Sequence, residues 1–138
     1  MWEYADVYKK NQFAYSYMTL HEWYYKKRKG KTMQEFLEKY GYNNIAIYAF
    51  GTLGHIFYDE LFKSRVKVKY IIDKNYKSFD GSFKGAPVIG IEELFAQGKV
   101  DAFVICHVYY YNALADNLIK QGIDEEKILS LNDIVFTI

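Results

Sequence analysis

Residues 45–54 read Ile-Ala-Ile-Tyr-Ala-Phe-Gly-Thr-Leu-Gly, a short apolar run that ends in a glycine turn. Apolar residues then recur at helical spacing from Leu53 to Leu61. A buried strand, a glycine turn and a helix in this order predict the first unit of an α/β domain. Because the unpaired amides and the positive dipole end of such a helix point at the turn, the turn favours a phosphate group.

The next apolar run ends at Asp73, about 20 residues after Gly51, where dinucleotide-binding folds hold a ribose hydroxyl. Lys74 follows and would tolerate an extra phosphate, so the sequence does not choose between NAD and NADP. The complete sequence fingerprint of dinucleotide-binding folds has three glycines, and here Ala49 stands at the position of the first one. A turn that only packs a helix closely against its strand is the alternative interpretation.

From residue 44 onward, predicted strands and helices alternate. Five strands are expected, at 45–49, 66–72, 87–90, 100–106 and 128–131. The polar stretch from Lys74 to Ala86 is interpreted as a long loop. This order predicts a Rossmann-like three-layer sandwich, an α/β fold with a five-stranded parallel sheet in the order 3-2-1-4-5.

Residues 1–43 are predicted to form a helical N-terminal appendage to a domain at 44–138. Thr32-Met-Gln-Glu35 has the pattern of a capping box and begins a short amphipathic helix over 33–40. The preceding segment is rich in aromatic residues, and we expect it to pair subunits into a homo-oligomer. Its aromatic residues between positions 2 and 25 are Trp2, Tyr4, Tyr8, Phe13, Tyr15, Tyr17, Trp23, Tyr24 and Tyr25.

Composition narrows the class of protein. The 138 residues carry a net charge of +1, which argues against a dedicated nucleic-acid binder. A single cysteine, Cys106, excludes a disulfide framework and a cysteine-based zinc site. Since no stretch resembles a signal peptide or reaches the ~20 apolar residues of a membrane span, we expect a cytoplasmic protein.

The candidate ligand-binding residues come from three segments. His107 is expected at the carboxyl end of the fourth strand, facing the crevice where open α/β sheets bind ligands, or as an ordinary loop histidine. The full predicted set is Phe50, Gly51, Thr52, Leu53, Gly54, Asp73, Lys74 and His107.

A catalytic constellation is not evident. Tyr-x-x-x-Lys pairs occur at Tyr25 and at Tyr70, but neither follows the fourth strand, where short-chain dehydrogenases carry this pair. Cys106 and His107 are adjacent, and successive side chains of a strand point to opposite faces, which opposes a dyad. No residues have metal-ligand spacing, so we expect no metal site.

The segments IAIYAFGTLGHIFYDEL, VKYIIDKN, GAPVIGIEEL and VDAFVIC together resemble a known family. They are similar to the N-terminal nucleotide-sugar-binding domain of the PglD-like sugar acyltransferases of bacterial polysaccharide biosynthesis. The resemblance covers roughly residues 44–135. It implies binding of a nucleotide-sugar, whereas acyl transfer in that family belongs to a separate β-helix.

Three hypotheses follow. The leading one is a small-ligand binding module for a nucleotide, NAD(P) or a nucleotide-sugar, used in polysaccharide or sugar-nucleotide metabolism. The second is an NAD(P)-dependent oxidoreductase or sugar-nucleotide-modifying enzyme completed by a partner subunit. The third is an interaction protein whose nucleotide site is vestigial.

Overall fold

The computed structural model describes the backbone of residues 4–138 and the side chains of residues 11–138. Trp2 and the side chains of Tyr4 and Tyr8, cited above as aromatic residues, lie outside the described residues. Within the described part of the chain, no helix combines the length and the apolar character that crossing a bilayer requires.

The protein has an α/β fold. Its five α-helices in residues 4–138 are α1 Tyr4–Arg28, α2 Met33–Lys39, α3 Thr52–Leu61, α4 Tyr111–Lys120 and α5 Leu131–Thr137. Its strands are β1 Asn44–Tyr48, β2 Lys67–Ile72, β3 Ser82–Phe83, β4 Ala86–Ile89, β5 Ala102–Ile105 and β6 Ile128–Ser130. Short 3₁₀ helices occupy Tyr76–Phe79, Ile91–Gln97 and Glu125–Lys127.

The sheet is six-stranded and mixed, in the order β3-β4-β2-β1-β5-β6. All neighbouring strands are parallel except β3, which runs antiparallel to β4. The prediction of a five-stranded, wholly parallel sheet is therefore wrong, because the unpredicted β3 adds a sixth, antiparallel strand at one edge. The order 3-2-1-4-5 lacks this strand, although the five predicted strands, which are β1, β2, β4, β5 and β6, are parallel and neighbour one another in that sequence. The segment 74–86 is not a loop, because Lys84 and Gly85 both adopt positive φ angles, 48° and 89°, and close a hairpin between β3 and β4.

Both faces of the sheet are covered, which explains the nearly continuous apolar runs of β1 and β5. Ile45 and Ile47 of β1 face a cluster built with α1, α2, α3 and α5. Ala46 and Tyr48, with the opposite orientation, face a second cluster that contains Leu118 of α4. Alternate residues of β1 therefore contribute to both clusters, and the strand lies inside the sheet between β2 and β5.

Side-chain caps define the starts of two helices. The Thr32 hydroxyl oxygen accepts a hydrogen bond from the Glu35 amide at 3.1 Å, as the capping-box pattern predicts for α2. The Ser130 hydroxyl oxygen accepts one from the Asp133 amide at 3.2 Å and begins α5. The predicted last strand reaches Leu131, whereas β6 ends at Ser130 and the unpredicted helix α5 begins at Leu131.

The carboxylate of Glu60, on α3, joins three helices. Its Oε1 atom accepts a hydrogen bond from the Trp23 indole N–H of α1 at 2.9 Å, and Oε2 accepts one from the Met33 amide of α2 at 2.8 Å. The Lys27 ammonium lies 3.7 Å from Oε1, while the Glu60 side chain is only 8% exposed. Because Met33 begins α2, Glu60 also satisfies one of the unpaired amides at that helix end.

We expect Glu60→Gln to lower the free energy of unfolding by about 2 kcal/mol. The side-chain nitrogen of glutamine cannot accept a hydrogen bond, so either the Trp23 indole N–H or the Met33 amide would lose its partner. Urea denaturation followed by circular dichroism measures the change. Glu93→Gln is the control, since Glu93 is exposed and its replacement should cost less than about 0.5 kcal/mol. Equal stabilities of the two variants would contradict the anchoring role of Glu60.

Candidate functional site

A cavity of about 440 Å³ lies at the carboxyl ends of the adjacent strands β1 and β5. From β1 the chain passes through α3 to β2 on one side, and from β5 it passes through α4 to β6 on the other. This is the topological switch point at which open α/β sheets bind ligands. The cavity is lined by Gly51, Thr52 and Leu53, by Cys106 and His107, and by Gln12, Phe13, Ser16, Tyr17 and Leu20.

One face of α1 forms a whole wall of this cavity, which the sequence analysis did not anticipate. The wall is held over the carboxyl end of the sheet because the Gln12 side-chain amide donates a hydrogen bond to the Tyr110 hydroxyl at 3.1 Å. Further along α1, the buried Thr19 hydroxyl donates to Asn132 Oδ1 of α5 at 2.7 Å. The spacing of the lining residues is helical, but exposed aromatic residues elsewhere on α1 hide that signal.

The outer surface of α1 also carries large apolar side chains. Met18, Tyr24 and Tyr25 are each about half exposed or more. Pairing of subunits through α1 stays a prediction, as does the division of the chain at residue 43. Trp23, Met33 and Leu37 of the predicted appendage are nevertheless buried in the same cluster as β1.

The two predicted glycines of the turn have different roles. Gly51 precedes α3 with a φ of −88°, and a Cβ atom added there would meet nothing within 4 Å. Gly51 and Thr52 are both exposed at the helix N-terminus. Gly54 is buried, and an added Cβ would lie 2.7 Å from the Ala49 carbonyl oxygen, so this glycine permits close packing of α3 on the end of β1. Leu53, between them, is buried against the core.

Ala49 occupies the position of the absent first glycine and adopts a φ of 76°. This left-handed conformation costs an L-residue with a Cβ atom roughly 1–2 kcal/mol. The turn therefore has the backbone shape that a glycine would take at this position, although the sequence lacks that glycine.

We expect Ala49→Gly to raise the free energy of unfolding by about 1 kcal/mol, because the left-handed strain at this position disappears. The same replacement at Ala113, an exposed residue in α4, should lower it by about 0.5–1 kcal/mol. Thermal and urea unfolding of both variants measure the difference. Destabilisation by both replacements would refute strain at Ala49.

Asp73 ties the turn to the end of β2. Its Oδ2 atom accepts a hydrogen bond from the Phe50 amide at 2.7 Å, and its Oδ1 atom accepts one from the Asn75 amide at 2.7 Å. Asp73 does not line the cavity described above. The Phe50 ring is also directed away from solvent, since it is 4% exposed and stacks on His55 with ring centroids 3.9 Å apart. Contact of Asp73 with a ribose stays a prediction.

His107 lines the cavity in a defined protonation state. The Tyr110 amide donates a hydrogen bond to His107 Nδ1 at 3.1 Å, so the neutral ring carries its proton on Nε2. Burial, and then the charge of the exposed Lys74, lower the pKa of His107 below its ordinary value of 6.5. At neutral pH the ring is therefore uncharged and offers one N–H donor.

The lowered pKa makes stability depend on pH. Below about pH 6.5 the unfolded chain protonates this imidazole while the folded protein keeps it neutral, so stability falls as the pH falls from 6.5 to the folded pKa. We expect the unfolding free energy of His107→Asn, whose Oδ1 can replace Nδ1 as acceptor, to fall less between about pH 7 and about pH 5. Identical pH slopes for the two proteins would refute a lowered pKa.

Burial disfavours ionisation of two candidate reactive groups, the Cys106 thiol and the Tyr70 hydroxyl. Cys106 is fully buried, and burial raises the pKa of its thiol. Burial also raises the pKa of Tyr70 to about 12, so this tyrosine is not activated by the lysine four residues later. Among the described residues, no three histidine, cysteine or acidic side chains converge as metal ligands.

The cavity thus brings together Gly51, Thr52, Leu53 and His107 from the predicted set. Phe50, Gly54 and Asp73 instead shape the turn, and Lys74 acts on His107 through its charge. Neither the models of known protein families nor the curated proteins include a significant match to this chain. The similarity to the PglD-like acyltransferases accordingly stays a prediction.

Proposed function

We propose that the protein binds a nucleotide-type ligand, such as a nucleotide, NAD(P) or a nucleotide-sugar, in the cavity between α1 and the first glycine turn. One observation carries the proposal, namely that the cavity at the switch point includes the exposed N-terminus of α3. At such a terminus, backbone amides and the helix dipole stabilise a phosphate. The first turn of α3 contains no acidic residue that would oppose the anion.

The remaining walls suit binding better than catalysis. Leu20 and Leu53 are apolar, Gln12 and Ser16 are polar, and His107 offers a hydrogen bond from a neutral ring. An apolar cavity with a few polar groups is the usual form of a small-molecule site, and about 440 Å³ falls within the common range of roughly 300–1,000 Å³. The metabolic pathway suggested by the resemblance is part of the proposal.

Isothermal titration with NAD⁺, NADP⁺, UDP-glucose and UDP-N-acetylglucosamine tests the proposal. At least one of them should bind with a dissociation constant below about 1 mM, which corresponds to roughly 4 kcal/mol of binding free energy. Gly51→Asp should weaken that binding at least about tenfold, because the new carboxylate would lie where the phosphate is stabilised.

Two controls separate charge from shape. Gly51→Asn adds an uncharged side chain of the same size as aspartate. Because asparagine and aspartate are both favoured immediately before a helix, we expect α3 to be retained in both variants. Ala96→Asp adds the same charge at an exposed residue that does not line the cavity. The proposal is wrong if none of the four ligands binds at millimolar concentration, or if Gly51→Asp binds as tightly as the unaltered protein.

A further inference from the structure

The α1 wall presents two flat rings to the cavity. Phe13 and Tyr17 are one helical turn apart, and both line the cavity while remaining 76% and 66% exposed. Residues at this spacing lie on the same face of a helix, so both rings are available to one ligand in the cavity. Aromatic surface left in contact with water at a cavity mouth gains free energy when a ligand ring covers it.

The part of the cavity lining that comes from α3 and β5 differs in character. There the exposed residues Gly51 and Thr52 begin α3, and the neutral His107 carries a proton on Nε2. The cavity thus has an aromatic wall on α1 and an end that favours an anion on α3. A ligand that contacts both groups of lining residues would match them with a planar ring and a phosphate.

We propose, on the basis of the proposed function, that the bound unit is a single nucleotide whose base stacks on Phe13 and Tyr17. Its phosphate lies at Gly51 and Thr52. Every nucleobase has a planar face, and stacking on an aromatic side chain stabilises its binding. The partly buried Ser16 hydroxyl, on the same face of α1, is a hydrogen-bond group for the edge of the base.

Asp73 argues for one nucleotide rather than two. In a dinucleotide site, the acid after the second strand binds the ribose of the adenosine half. Here Asp73 does not line the cavity, and its hydrogen bonds to the Phe50 and Asn75 amides, both at 2.7 Å, hold the carboxylate at the turn. The cavity extends from the glycine turn toward β5 and α1 instead, and its volume is in the lower half of the usual range for small-molecule sites.

The aromatic wall is already fixed in place before any ligand binds. Gln12 is hydrogen-bonded to Tyr110, the buried Thr19 to Asn132, and Trp23 to Glu60. These contacts hold α1 at three successive points on the side that faces the fold. Since α1 itself needs little ordering on binding, less of the stacking free energy is offset by that cost.

Titration of the complete chain with UMP, AMP and ribose 5-phosphate tests the stacking. In the unaltered protein at least one nucleotide should bind about tenfold more tightly than ribose 5-phosphate, which lacks the base. Phe13→Ala and Tyr17→Ala should each weaken nucleotide binding by about tenfold and leave ribose 5-phosphate binding unchanged. Both side chains are mostly exposed, so we expect circular dichroism melts unchanged by either replacement.

Tyr24→Ala is the matched control, because Tyr24 is a 55% exposed tyrosine of α1 that does not line the cavity. It should leave every affinity unchanged. If nucleotides bind no more tightly than ribose 5-phosphate, or if all three alanine variants behave alike, base stacking on α1 is overturned while the phosphate site stands. If UMP, AMP and ribose 5-phosphate all fail to bind although a ligand of the earlier panel does, the single-nucleotide assignment is overturned.

Discussion

The buried carboxylate of Glu60 is the contact on which the N-terminal third of the structure depends. It receives an indole N–H from α1 and a backbone N–H from α2 while lying on α3, the helix that starts at the glycine turn. Together with the hydrogen bonds of Gln12 and Thr19, this side chain therefore fixes the position of α1 relative to that turn. Because α1 is a wall of the cavity and α3 supplies its amide end, the shape of the cavity depends on the same carboxylate.

A second carboxylate performs a comparable task at the other end of α3. Asp73 binds the amides of Phe50 and Asn75, so the chain leaving β1 and the chain leaving β2 are joined at the carboxyl edge of the sheet. Sequence spacing predicts an acid at this position, and a ligand contact is its usual explanation. The hydrogen bonds add a structural explanation, since two backbone donors at the sheet edge would otherwise lack partners.

The sequence predicts the parts of this fold that depend on local patterns. The apolar run of β1, the glycine turn and the capping box at Thr32 are local, and each forms the expected element. The hairpin at Lys84 was missed because lysine is not a residue that typically signals positive φ. Helix α5 was missed because its short apolar sequence continues that of β6. The α1 wall depends on contacts between residues about a hundred positions apart, such as Gln12 with Tyr110, and no local pattern encodes these.

Ala49 has a wider consequence for how such turns are recognised. In the fingerprint of three glycines the first glycine serves the tight turn. Here Ala49 stands at that position with a positive φ of 76°, a value that favours glycine. A codon for alanine becomes a codon for glycine by one base change, so the two versions of the turn are close neighbours in sequence space. A search that accepts any residue with positive φ at this position, instead of glycine alone, would retain this turn.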